Sequence, residues 1–246
     1  MIEQITRIDN PIEVMSLMHV AFRAASERTE ALAAEAQDGG DLSKFNESFN
    51  FWIKQLLYHA TAEDKYMTGP LADSQPARDN ETEHAELVEH GGGIIEFLGK
   101  GDAAGLTDNV KAAMLAMEGE EHKELLEKVA DVEEVLKKGI GETRVVARTR
   151  RHLYRRVLAL RVLEFGHFEN EEAFVVPIVA ERMSEAQQLE VARRLLIDED
   201  SGDPRWIIDW VASELDDDQR KLLSDLEARF AVGQGKEGKR WWWPFG

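Results

Sequence analysis

Cysteine is absent from this sequence of 246 residues. Without it the chain can form no disulfide, no zinc site with thiolate ligands and no iron–sulfur cluster on its own thiolates, and it has no thiol nucleophile. Any metal that the protein binds must therefore be held by nitrogen and oxygen atoms, which here means histidine and carboxylate side chains.

Basic residues and long apolar runs are also scarce. The chain has 30 lysines and arginines against 48 aspartates and glutamates, a net charge of -18, and such a negative field repels phosphate backbones. We therefore expect no nucleic-acid partner. No segment approaches the ~20 apolar residues that cross a bilayer, and the N-terminal residues lack the apolar core of a signal peptide. The expected location is the cytoplasm.

Turn and capping residues predict a series of helices, and no segment shows the apolar–polar alternation of a strand. Asn10 with Pro11 starts the first helix, and Gly139 with Gly141 interrupts the chain before the longest one. The predicted helices cover residues 11–37, 41–69, 80–98, 107–138 and 142–183, and three shorter ones begin at Ser184, Asp203 and Asp216. The sequence therefore predicts an all-α protein.

Two of the seven histidines begin the same HxxxE motif, His59 to Glu63 and His167 to Glu171. Positions i and i+4 share one face of a helix, so each histidine and glutamate can point into the same space. A buried carboxylate without a partner costs several kcal/mol, and no lysine or arginine lies near the motifs on these faces. We therefore favour a bound cation over a structural ion pair. Both motifs interrupt apolar stripes, which comprise Phe45, Phe49, Trp52, Leu56 and Met67, and Leu153, Val157, Leu160, Phe174 and Ile178.

Histidines on two further helices extend this predicted cluster. His19 lies on the inner face of the first helix, and in an antiparallel pair that turns near residue 39 it stands at the same height as His59. On the third helix His84 shares a stripe with apolar residues. Its alternatives are His90 and His122, the latter on the acidic helix 107–138. If that helix folds back on the basic start of the next one, His122 falls about 13 Å short of the site.

The set resembles the hemerythrin-like HHE cation-binding family, whose helices carry in turn a histidine, HxxxE, a histidine and HxxxE. The matching residues are His19, His59, Glu63, His84, His167 and Glu171. The resemblance covers about residues 11–230. It implies an up-down four-helix bundle over residues 1–183 with an extra helical segment, and C-terminal helices over 184–232.

The same resemblance implies two iron ions joined by an oxo or hydroxo bridge and by Glu63 and Glu171, with manganese or zinc less favoured. Such a site binds or senses O2, NO or peroxide. Glu164 would be an acceptor behind the ligands or an extra ligand, unless it is simply a glutamate at the edge of the core. Tyr66 would donate to a bound oxygen species, unless it serves packing alone.

Two other functions stay open. One is iron donation to iron–sulfur sites, or their repair, under oxidative or nitrosative stress. The other is a metal-free helical interaction protein. The predicted flexible tail, residues 233–246, begins with a joint that contains Gly233 and Gly235 and ends in KRWWWPFG. Its tryptophans and basic residues predict docking to a protein or a membrane, with packing against the bundle as the alternative.

Overall fold

The structure is a computed structural model that describes residues 5–38, 42–97 and 142–233. Helices and turns make up these residues and no strand occurs among them, so the all-α prediction is confirmed. None of the described helices is long and apolar enough to cross a membrane. The predicted helix 107–138, His122 on it and residues 234–246 of the tail lie outside the described residues. The predicted folding of helix 107–138 onto the basic start of the next helix therefore stays a prediction. The α-helices described are α1 (Val14–Glu35), α2 (Ser43–Glu63), α3 (Gln75–Phe97), α4 (Glu142–Asn170), α5 (Val176–Arg182), α6 (Glu185–Leu196), α7 (Trp206–Glu214) and α8 (Asp217–Gly233).

The chain divides into two compact units, one of which is Phe22–Glu171. This unit holds the greater part of α1 together with α2, α3 and α4. Thr29 Oγ1 on α1 lies 2.8 Å from Ser48 Oγ on α2, and Arg161 on α4 pairs with Glu27 on α1 at 2.8 Å. Helix α3 packs against both α2 and α4. These contacts form the four-helix bundle that the resemblance implies.

The other unit comprises Met1–Ala21 and Glu172–Gly246. Within it, α6 packs against the 3-10 turn Pro11–Glu13 and against α8. As predicted, Ser184 caps the start of helix α6, and its side chain accepts a hydrogen bond from the backbone N–H of Gln187 in a capping box. The predicted divisions of the chain after residues 183 and 232 stay predictions.

The predicted start of the third helix at Asn80 is wrong, because α3 begins at Gln75. Ser74 stands before the helix, and its hydroxyl accepts a hydrogen bond from the backbone N–H of Ala77 at 3.4 Å. Pro76 fits the first turn, where no intrahelical N–H is needed. Asn80 is instead buried inside the helix, with its Nδ2 3.4 Å from His84 Nε2.

Each HxxxE motif runs directly into a π-helical segment, Asp64–Thr68 after the first motif and Glu171–Val175 at the end of the second. The backbone N–H of Gly69 donates to the carbonyl of Asp64, five residues earlier. A Cβ at Gly69 would lie only 2.6 Å from that same carbonyl oxygen, so this wide turn requires a glycine. A proline follows each segment, Pro70 and Pro177, where a regular helix would lose a backbone hydrogen bond.

The second π segment changes which side chains are buried after Glu171. The predicted stripe through Phe174 and Ile178 is wrong, since Phe174 is 59% exposed and Ile178 only half-buried. Val175 and Val179 are buried in their place. The reason is the wider turn, which advances the buried face by one residue relative to a regular α-helix.

We predict that Gly69→Ala destabilises the protein by about 1–3 kcal/mol, because the new methyl group would overlap the carbonyl of Asp64. Gly166→Ala is the matched control, since a Cβ at Gly166 meets no atom within 4 Å and alanine favours a helix. Chemical denaturation of the two variants measures the effect. Equal stability in both would show that the π turn tolerates a side chain at position 69.

Candidate metal centre

Five buried histidines and glutamates gather within the unit Phe22–Glu171. Each is at most 3% exposed. Helix α2 supplies His59 and Glu63, helix α3 supplies His84, and helix α4 supplies His167, with Glu171 directly after its end. The i, i+4 spacing predicted from the sequence thus brings each HxxxE pair into the interior of the bundle.

Glu63 lies between two histidines. One of its oxygens is 2.8 Å from His59 Nε2, and the other is 3.0 Å from His84 Nε2. Burial by itself would raise the pKa of Glu63, but the two histidines outweigh burial and hold that pKa well below its usual range. Glu63 is therefore an anion in the interior of the bundle and requires positive charge beside it.

Glu63 also belongs to two groups of potential metal ligands. Ligand atoms of Glu63, His84 and His167 lie within 4.8 Å of one another, and so do those of Glu63, His59 and Glu171. The Nε2 atoms of His84 and His167 are 3.1 Å apart. A single carboxylate shared by two such groups has the form of a bridge between two cations.

Carboxylates hold the outer nitrogens of two of these histidines. His84 Nδ1 lies 2.7 Å from Asp64 Oδ1, and His167 Nδ1 lies 2.9 Å from Glu83 Oε2. Asn170 Nδ2 donates to the second oxygen of Glu83 at 2.6 Å. In metal sites such a contact fixes the ring and leaves Nε2 to face the metal. Asp64 and Glu83 are not among the residues predicted from the sequence, although each stands next to a predicted ligand in the chain.

The two histidines differ in charge. Burial lowers the pKa of His167, so this ring is neutral and its Nε2 lone pair faces His84. Burial also acts to lower the pKa of His84, but hydrogen bonds with Asp64 and Glu63 outweigh it and raise the pKa to about 10. The cluster thus requires a positive charge beside Glu63 and His84. A proton on His84 satisfies it in the absence of metal, and a metal ion would displace that proton.

His19 belongs to the other unit and is fully buried. Its Nδ1 lies 2.6 Å from Glu172 Oε1, so its ring has a carboxylate at the same nitrogen as His84 and His167. The residue types and this contact suit a metal ligand. Its place among the ligands stays a prediction.

Three further residues, the alternative ligand His90, His152 and the candidate Tyr66, are exposed or half-buried. His90 is exposed, with Nδ1 2.9 Å from the carbonyl oxygen of Glu86. His152 is exposed and accepts a hydrogen bond from Arg156 at 3.0 Å. Tyr66 is half-buried, with the Lys65 ammonium group 4.8 Å from the centre of its ring. Its proposed role toward a bound oxygen species stays a prediction.

Glu164 is fully buried but belongs to neither ligand group. Its Oε1 accepts a hydrogen bond from Trp52 Nε1 at 2.5 Å. Burial raises the pKa of Glu164 to about 8, although the side chains of Ser26 and Trp52 and two nearby arginines act to lower it. At neutral pH this raised pKa favours the uncharged form of Glu164, one turn before His167.

Residues 10–119 match the family model described as Hemerythrin HHE cation binding domain, which confirms the predicted resemblance over this part of the chain. The matched segment contains His19, His59, Glu63 and His84, whereas the second HxxxE motif lies beyond its end. No curated protein and no solved structure matches the chain. Together the family match and the buried cluster indicate a metal-binding site.

We predict that His84→Ala lowers the affinity for ferrous iron more than Asp64→Ala, which should lower it about 10–100-fold because Asp64 only orients the ring. His90→Ala, on the same helix, should leave the affinity unchanged. Anaerobic competition with a chelator measures all three. If His84→Ala kept the full affinity for ferrous iron, His84 would not be a metal ligand, and His122 would be the next candidate.

The raised pKa of Glu164 leads to a prediction about pH. Between pH 4.5 and 8 the unfolded chain loses this proton while the folded chain keeps it, so stability falls as the pH rises. Glu164→Gln keeps a hydrogen-bond acceptor for Trp52 and cannot ionise, so the stability of this variant should not fall as the pH rises. The variant should gain about 2–5 kcal/mol over the native protein at pH 8 and much less at pH 5.

Denaturation curves at both pH values test this prediction. Glu169→Gln is the control, because Glu169 is exposed on the same helix and its substitution should change stability by less than ~0.5 kcal/mol. An equal gain for Glu164→Gln at the two pH values would mean that Glu164 is ionised in the folded protein.

Proposed function

We propose that this chain is a non-heme di-iron protein of the hemerythrin type, which binds or senses O2, NO or peroxide. The observation that carries the proposal is the convergence of buried imidazoles and carboxylates from α2, α3 and α4 around Glu63. In a helical protein without metal, protonated imidazole would have to balance this buried anion, and a buried ion pair contributes little to stability over well-packed apolar residues.

The donor set is compatible with iron, which the resemblance to the HHE family favours. It contains imidazole nitrogens and carboxylate oxygens and no sulfur, a combination that suits iron, manganese and zinc. In the proposal, His84 and His167 would hold one ion and His59 the other, with His19 as its further predicted ligand. Glu63 and Glu171 would supply the carboxylate oxygens of the pair.

Bound iron would supply a coordination position open to a diatomic molecule or peroxide. The residues around the cluster would orient the histidine ligands and exclude water from that position. Asp64 and Glu83 hold the rings of His84 and His167 with Nε2 directed inward. The near-complete burial of all five ligands in this unit keeps bulk water out, which strengthens each electrostatic contact inside.

We predict that the protein, loaded with ferrous iron under anaerobic conditions, binds two iron ions per chain and changes its absorption spectrum on exposure to O2, NO or peroxide. His167→Ala should lose most of the iron and the spectral response, because it removes an inward-facing nitrogen. His152→Ala, on the same helix but exposed, should retain both. Iron content and spectra are the measurements.

The outcomes separate the competing functions. A protein that binds no iron above the level of His167→Ala would support the metal-free interaction protein. Iron that binds without any spectral response, and moves to an iron–sulfur protein, would support iron donation or repair. A spectral response to only one of O2, NO and peroxide would identify that molecule as the physiological ligand.

A further inference from the structure

Asn80 is a buried polar residue beside the ligand cluster, in the unit Phe22–Glu171. It lies on α3 four residues before His84, and this spacing puts both side chains on the same face of the helix. Its side chain is only 2% exposed. Asparagine is unfavourable inside a helix, because its amide competes for backbone hydrogen bonds. Helix stability therefore does not explain an asparagine at this position.

The amide of Asn80 meets the inward nitrogen of His84. Nδ2 of Asn80 lies 3.4 Å from His84 Nε2, which also lies 3.0 Å from Glu63 and 3.1 Å from His167 Nε2. An imidazole nitrogen offers either one proton or one lone pair, and three polar groups compete for it here. The amide makes the longest of these contacts. This contact is therefore too weak to explain why a polar amide is buried at this point.

The oxygen of the same amide has no hydrogen-bond partner among the described residues, although it is shielded from solvent. An unpaired buried acceptor costs about 1–3 kcal/mol. A half-turn of the amide plane exchanges Oδ1 and Nδ2, so the oxygen can lie where Nδ2 now meets His84. Asn80 thus has an oxygen lone pair available next to the nitrogen that would bind a metal.

The ligand group beside Asn80 has room for another donor. It contains one ligand atom each from Glu63, His84 and His167, fewer than an octahedral ion requires. An amide carbonyl is a neutral oxygen donor, of the kind that binds Ca²⁺ and suits Mn²⁺. Such a donor adds a ligand without adding a third buried negative charge to those of Glu63 and Glu171.

From this placement we infer that Oδ1 of Asn80 is a further ligand of the cation that His84 and His167 would hold. The inference rests on the proposed metal site and adds to it a residue outside the HxxxE motifs. An added oxygen ligand favours ions with high coordination numbers, such as Mn²⁺, over Zn²⁺, which is commonly tetrahedral. Asn80 therefore influences which metal the site selects.

Mn²⁺ and Zn²⁺ are the probes, each titrated into the metal-free full chain in competition with a chelator. Asn80→Leu keeps the approximate shape of the side chain and removes its oxygen. We expect the affinity for Mn²⁺ to fall at least several-fold and the affinity for Zn²⁺ to fall much less. Asn80→Asp retains an oxygen at this position and should keep the native ratio of the two affinities or increase it in favour of Mn²⁺. Asn80→Ala provides the same test if Asn80→Leu does not fold.

Two control variants distinguish a ligand from a residue that only positions His84. Asp64→Ala removes the contact at the outer nitrogen of His84, so it should lower both affinities by similar factors and leave their ratio unchanged. Thr82→Ala, at an exposed position on α3, should change neither affinity.

An unchanged ratio of the Mn²⁺ and Zn²⁺ affinities in Asn80→Leu and Asn80→Ala would overturn the inference. A parallel loss of both affinities, as expected for Asp64→Ala, would also overturn it, because Asn80 would then act only through His84. In either case the native chain still binds metal, and the proposed metal site stands. A native chain that binds no divalent ion would overturn both proposals.

Discussion

The buried negative charge of Glu63 is the constraint around which this bundle is organised. Its two oxygens face histidines from α2 and α3, and its place within both ligand groups ties α4 to the same point. A carboxylate in such a site is stable only with compensating positive charge. The surrounding packing can be apolar because the charge is balanced within the cluster, by protonated imidazole or by metal.

From Glu63 a chain of polar contacts extends through the histidine rings to carboxylates nearer the surface. His84 Nε2 lies 3.0 Å from Glu63 and 3.1 Å from His167 Nε2. The outer nitrogens of the two rings contact Asp64 and Glu83, which are partly exposed. This arrangement connects a dry interior with the surface through two rings whose orientation is fixed. The π segments that follow Glu63 and begin at Glu171 contribute to it, since the first one carries Asp64 at its start.

Much of this organisation could be predicted from the sequence. The i, i+4 spacing of both HxxxE motifs and the apolar residues before them indicate one buried face on each helix, because helical periodicity is a local property. The structure confirms that face from Phe45 to Glu63 and from Leu153 to Glu171. Local signals failed where the helix itself was irregular. The π turn at Glu171 buries Val175 and exposes Phe174, and a regular period cannot anticipate that shift.

The sequence by itself determined the residue types of the site: nitrogen and oxygen donors in a chain without cysteine, paired on helix faces that must be buried. Only the tertiary structure decided which of these donors meet. His84 and His90 lie on one helix, and the packing of α3 against α2 and α4 brings His84 alone into the cluster. The same packing brings Asp64 and Glu83 to the outer nitrogens of His84 and His167. Each of these contacts joins residues on different helices, and no local pattern specifies a distance between helices.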